Sequence, residues 1–351
     1  MDFSTIDSIL ENFEADLTIS DIHLASNSFV TYRKLGDITF MTDLPKITHE
    51  QMDRLLQQLL SHHPEGYERF LQHRELDFNF YSKGGTPYRI NAYFKLENIG
   101  VAMRKISYKP LPLEDLMYDD VAQAIKDTVL NQKTGLFLVT WPTWSWKTTT
   151  LIAMLEYLNL NRKEHIITIE DPIEYIFEPK NCLISQRELG SDTLSFPNAM
   201  KSAMREDPNI ILVWEIRDPA TAEAAINLAE TGHLVFSTLH TRSASNTVAR
   251  LISFFPPDIQ ESIKDRLSSS LIGVQSQFLL QTQDNTRRIG LFEFMINNAA
   301  IRNNIRKDDG KQIDSIIETS RQRGMISHME YAKRLIADKI ITKKQVEWLF
   351  E

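Results

Sequence analysis

The stretch at 136–151, LFLVTWPTWSWKTTTL, constrains the fold more than any other part of the chain. Its first half is a short apolar run that breaks into a loop, the pattern of a strand buried on both faces. Its second half ends in Lys147 and Thr148, the close of the phosphate-binding pattern G-x-x-x-x-G-K-[ST], which joins a strand to a helix. Such a loop works through its backbone. Successive N–H groups point at phosphate oxygens, and glycine supplies both the dihedrals and the close approach. Here the two glycine positions hold Trp141 and Trp146, with Trp144 between them. The outline of a phosphate loop is present, and indoles stand where its cradle should be. The nucleotide-binding candidates are therefore Trp141, Pro142, Thr143, Trp144, Ser145, Trp146, Lys147, Thr148 and Thr149. ATP with Mg2+ is the expected ligand pair, Lys147 reaching the β- and γ-phosphates and Thr148 giving its hydroxyl to the metal.

A chain of 351 residues suggests two domains. Hydrophobic content of 42% and charged content of 25% belong to an ordinary globular protein. A net charge of −8 argues against nucleic acid as a partner, since phosphate contacts call for a basic surface. No apolar run is long enough to insert in a membrane, and the first residues lack signal-peptide character, so a cytoplasmic protein is expected. The single Cys182 excludes a disulfide framework and a cysteine-rich zinc site.

Residues 1–108 read as a mixed α/β domain. Met52, Leu55, Leu56, Leu59 and Leu60 recur at helical spacing, and alternating runs at 76–81, 88–94 and 100–106 predict strands of one sheet. His62 and His63 lack further ligands at useful spacing and mark a helix end. The prolines at 110 and 112 make 109–114 the expected linker. Beyond it, 115–297 alternates short apolar strands (165–169, 210–213, 234–238) with helices (195–205, 220–230), the rhythm of a parallel sheet covered on both faces. The remainder, 298–351, reads as helical and charged.

Three carboxylates, Glu170, Asp171 and Glu174, follow one strand, at the sheet edge where ligands sit in open α/β folds. Hard oxygen donors of this kind suit Mg2+, making Thr148, Glu170 and Glu174 the metal candidates. The run 210–213 delivers Glu215 as a residue able to orient or deprotonate water, with Trp214 where a small residue is expected. His233 and His240 flank a third strand and are expected at the same sheet edge, sensing the γ-phosphate or coupling the strands.

These elements, in this order, resemble the type II/type IV secretion ATPase superfamily, and within it the twitching-motility (pilus-retraction, PilT-like) members. The likeness runs through ITIEDPIEY at 167–175, GSDTLSFPNAMKSAMREDPNIILV at 190–213, EIRDPATAEAAINLAETGHLVFSTLHT at 215–241, LIGVQSQFLL at 271–280 and AAIRNNIR at 299–306. It implies a PAS-like N-terminal domain, a RecA-like P-loop NTPase core with a helical C-terminal extension, and a homohexameric ATPase. It also implies a pilus platform protein of the inner membrane as partner, with the motor lying against that membrane's cytoplasmic face. By position it implies phosphate and Mg2+ binding for Lys147 and Thr148 and an acidic box of Glu170, Asp171 and Glu174. Glu215 becomes the catalytic carboxylate, His233 and His240 the histidine box, and Arg89 and Arg104 phosphate-contacting arginines. The chain lacks the tetracysteine zinc loop and long N-terminal region usual in the extension and secretion members.

Trp141, Trp144, Trp146 and Trp214 fall where that family has glycine, and the chain is glycine-poor, 12 residues in all. Two readings account for them. Either the chain is a non-hydrolysing structural or regulatory subunit of such a motor, inactive as written, or the four positions are misdecoded or substituted glycines of a working ATPase. Three indoles crowded beside an intact Lys-Thr favour the second.

Overall fold

The computed structural model describes residues 5–349 except 17, 35–36, 64, 107–109, 141–146 and 285–286. Trp141, Pro142, Thr143, Trp144, Ser145 and Trp146, Lys109 of the expected linker and Gly36 of an expected turn lie outside the described residues. The chain divides into two compact units: Met1–Tyr108 with Pro172–Ile176, and Lys109–Asp171 with Phe177–Glu351.

The first unit runs α1 (Ile6–Glu14), β1 (Ile19–Ala25), β2 (Thr31–Lys34), β3 (Asp37–Phe40), α2 (His49–Leu59), α3 (Gly66–His73), β4 (Glu75–Tyr81), β5 (Pro87–Lys95) and β6 (Asn98–Lys105). Thr48 starts α2 with a capping box closed by Gln51, and Met52, Leu55, Leu56 and Leu59 form its buried stripe. The six strands form an antiparallel sheet in the order β3-β2-β1-β6-β5-β4. Alternation sends Ile22, Leu24, Ile90, Ala92, Val101 and Met103 into the core with the helices. The opposite face carries a cross-strand row of Arg33, Asp21, Arg104, Arg89 and Asn79.

The second unit continues with α4 (Leu113–Leu116), α5 (Asp119–Ile125), β7 (Gly135–Thr140), α6 (Lys147–Asn161), β8 (His165–Glu170), β9 (Leu183–Glu188), α7 (Phe196–Ala203), β10 (Ile210–Val213), α8 (Pro219–Glu230), β11 (Leu234–Leu239) and α9 (Ala244–Ser253). It ends with α10 (Pro257–Ser270), β12 (Leu271–Gln281), β13 (Arg288–Ile296), α11 (Ala299–Lys307), α12 (Gly310–Thr319) and α13 (His328–Ala337). Its sheet has the order β13-β12-β7-β11-β10-β8-β9, parallel except for the β12/β13 hairpin at one edge. Every residue of β7, β10 and β11 is buried, as strands covered on both faces require. Each buried Leu, Ile or Val there contributes roughly 1.5–3 kcal/mol. Gly135 opens β7 at φ +122, and a Cβ there would meet Ser270 O at 2.9 Å, so this strand start admits only glycine.

Candidate nucleotide site

The parallel strands deliver their chemistry at their C-terminal ends. β7 leads through 141–146 into α6, whose first turn is Lys147, Thr148 and Thr149. β10 is followed by Trp214 and Glu215, and neighbouring β11 by His240. The end of β10 and the segment after it are pinned to β11 by three bonds. Ser237 Oγ donates to Val213 O (2.7 Å), Thr238 Oγ1 to Trp214 O (2.7 Å) and Ile216 N–H to Thr238 O (3.0 Å). On the other side Trp214 N–H donates to Ile169 O (2.9 Å). Glu215 is thereby fixed between two strands. Trp214 itself keeps a negative φ, so the backbone alone does not demand glycine at this position.

Glu215 is buried, and both carboxylate oxygens are engaged. Oε1 lies 2.9 Å from His240 Nε2 and Oε2 lies 2.8 Å from Arg217 Nη2. Burial pushes its pKa up, but the Arg217 hydrogen bond and the His240 ring outweigh it and hold the carboxyl below its ordinary range. Arg217 also reaches Asp171 Oδ2 at 3.9 Å. Lys147 Nζ stands 3.2 Å from His240 Nδ1 and 3.4 Å from Leu239 O. With Nδ1 accepting from the ammonium, Nε2–H donates to Glu215, so one imidazole links the lysine to the carboxylate. Burial lowers the Lys147 pKa to about 8, with Glu215 raising it and Arg217 lowering it further.

Lys147, Glu215, His240 and, through Arg217, Asp171 thus come together. Arg217 is the member that sequence reasoning passed over; its signal was an arginine two residues beyond Glu215, ahead of the Asp218 that caps α8.

Other expected members lie elsewhere. His233 precedes β11 and bonds to Leu228 O through Nδ1 (3.0 Å), at the sheet edge opposite His240. The expectation of one shared edge is corrected. A six-residue strand separates the two, and at about 3.3 Å per residue the ends of β11 are far apart. The three carboxylates after β8 each have their own partners. Glu170 is buried, accepting from Thr168 Oγ1 (2.6 Å) and Gln186 Nε2 (3.2 Å). Asp171 faces Arg217, while Glu174 belongs with the first unit and pairs with Arg89 at 3.2 Å. Arg104, directly opposite Arg89 in the β5/β6 ladder, bonds to Asp21 at 2.8 Å.

Among the described residues no three His, Cys, Asp or Glu side chains gather as a metal-holding group. The donor set still suits Mg-ATP. A lysine at the N-terminus of a 15-residue helix favours phosphate. Mg2+ beside phosphate takes only one or two protein oxygens, such as the Thr148 hydroxyl, and keeps its waters.

Residues 87–347 match the family described as Type II/IV secretion system protein. The type IV pilus retraction ATPase PilT of Pseudomonas aeruginosa is 40% identical over 333 residues, covering 95% of this chain and 94% of that protein. A twitching motility protein of Neisseria gonorrhoeae is 40% identical over 299 residues, covering 85% and 78%. Among solved structures, the pilus retraction motor PilT with bound ADP superposes with a TM-score of 0.82 at 35% identity, covering 94% of this chain and 96% of that one. The Legionella pneumophila ATPase DotB shares the fold, with a TM-score of 0.84 at 23% identity and coverage of 98% and 94%. No helix among the described residues is long and apolar enough to cross a membrane.

Proposed function

The chain belongs to the type II/IV secretion system protein family, and from that premise we propose that it is the ATPase of a type IV pilus retraction motor. It works as a homohexamer at the cytoplasmic face of the inner membrane, against a pilus platform protein. The observation that carries the reading is the Lys147–His240–Glu215 chain at the C-terminal edge of the parallel strands, beside the first turn of α6. Lys147 and the N–H groups of the first turn of α6 hold the phosphates of ATP. Mg2+ supplies charge neutralisation when bound, with Thr148, Glu170 and Glu174 as its candidate oxygen donors. To serve there, Glu170 would give up Gln186 and Glu174 would give up Arg89. Glu215, ionised at neutral pH, accepts the proton of the attacking water, and His240 orients it. Arg89 and Arg104 enter as phosphate-contacting arginines through family resemblance alone. The division into an N-terminal domain, a linker at 109–114, a core to 297 and a helical C-terminal region rests on the proline pair and on the change of strand and helix rhythm along the sequence.

A second reading, a non-hydrolysing subunit of the same ring, is favoured by the indoles at 141, 144 and 146. Turnover decides between them. The chain carrying Gly at 141, 144, 146 and 214 is expected to hydrolyse ATP and to assemble as six subunits by light scattering. Six subunits without turnover in that variant would leave the second reading standing.

A further inference from the structure

We propose that Glu293 is a positioning residue for the hydrolytic edge, its one carboxylate holding the start of α9, and with it the His240 loop, to the start of α13. The inference rests on the role given to His240 above.

Glu293 lies on β13, away from any expected nucleotide contact, and is buried with 7% exposure. A buried carboxyl is costly unless its oxygens are used. Its Oε1 accepts from the N–H of Ala244, the first residue of α9, at 2.7 Å. It also accepts from the backbone N–H of His328, the first residue of α13. The His328 ring stands 3.5 Å from Oε2 through Nδ1. Two helix starts, each with N–H groups that have no partner inside their own helix, share one acid.

The start of α9 is tied to the site. Only residues 241–243 separate it from His240. Thr247 Oγ1 gives its single proton to Ser243 O (2.7 Å). It stands 2.7 Å from Thr241 Oγ1 and 3.4 Å from Thr140 Oγ1, each able to donate to it. Thr140 is the last residue before the phosphate loop. Glu293, Ser276, Thr140 and Leu239 are also register partners across β13, β12, β7 and β11. The carboxylate therefore sits at one end of a row, polar at Glu293, Ser276 and Thr140, whose other end is the edge carrying His240. The titratable groups around it are His328 on α13 and Asp314 and Glu318 on α12. Burial pushes the Glu293 pKa up to about 7 and the His328 pKa down to about 4.

Glutamine at 293 keeps the shape but offers the two helix starts one neutral oxygen in place of a carboxylate, so the hold on both is weakened. In the chain as it stands, without nucleotide, E293Q is expected to exchange amide hydrogens at 240–247 or 328–332 roughly fivefold faster or more, with β8 and β10 unchanged. In the chain with the four glycines, E293Q is expected to lower kcat about tenfold, with KM for ATP unchanged. H240A/E293Q is then no slower than H240A. T247V, which buries no charge, should repeat that kcat pattern if E293Q fails to fold. Unchanged exchange in both segments, or losses that multiply in the double variant, overturn the proposal. Should the glycine chain show no turnover at all, the functional reading fails, while the exchange result still decides whether Glu293 anchors the edge.

Discussion

Glu215 is set up by its neighbours more than by its own chemistry. Arg217 and His240 take its two oxygens, and together they overcome the burial that would otherwise raise its pKa. Removing Arg217 leaves burial with less opposition, so the carboxyl's pKa must rise. In the four-glycine chain, Arg217→Ala is therefore expected to move the acid limb of the kcat profile to higher pH, since turnover needs the ionised carboxylate. A limb that stays in place would show that Arg217 does not tune Glu215. The partners of Lys147 predict a different signature. Lys147→Ala should weaken nucleotide binding itself, whereas Glu215→Gln should keep nucleotide and lose at least about a hundredfold in turnover, the lower range for general-base catalysis. Equal loss of ATP binding in both, by fluorescence titration, would mean that the two residues do not divide binding from chemistry.

At the scale of elements, the strands and helices with one clean period were legible: β4 to β6 by alternation, α2 by its leucine stripe, β10 and β11 as short apolar runs. What stayed hidden depended on placement. β9 carries polar residues, LISQRE, because it is an edge strand with much of its length half-exposed. The LIGVQSQFLL run reads as apolar, but its Gln275, Ser276 and Gln277 are buried, and Gln277 accepts from Thr150 of α6. The distance between His233 and His240 follows from the strand between them, yet their separate partners could not be read from spacing. The Glu293–His328 contact joins residues 35 apart, and no local pattern announces it. It does leave a signature in stability. Glu293 has a raised pKa, so its contribution is complete below about 4.5 and is lost as pH rises to about 7. His328 has a lowered pKa, so its contribution is complete above about 6.5 and is lost as pH falls to about 4. Across the shared window the two slopes oppose. E293Q keeps only the histidine's slope, and its unfolding free energy relative to the parent should rise with pH across that window. The slope approaches one proton, about 1.36 kcal/mol per unit. Urea unfolding at a series of pH values checks it, and parallel curves for parent and E293Q would count against the buried pair.

For the whole molecule, the tryptophans decide whether a motor fold is also a motor. Each unit has its own buried core among the described residues, and neither core as described draws on 141, 144 or 146. Binding does. Each indole brings roughly 150–250 Å² of side-chain surface, and a phosphate loop has room only for backbone. The chain as written is expected to show no thermal stabilisation by Mg-ATP, and the four-glycine chain a clear one, since a ligand at a hundred times its Kd adds about 2.7 kcal/mol. Trp348 is the internal control. It is half-exposed in the terminal 3-10 segment Lys343–Leu349 and meets the Phe278 ring edge-on at 6.1 Å, an ordinary aromatic contact. If the other four are glycines misread from a UGA codon, the native gene should carry UGA at 141, 144, 146 and 214 and UGG at 348. Peptide masses from the native protein should then show glycine at those four positions and tryptophan at 348. Tryptophan masses at all five, with no stabilisation by Mg-ATP, would make this chain a non-hydrolysing subunit that keeps the ring fold and has lost its phosphate cradle.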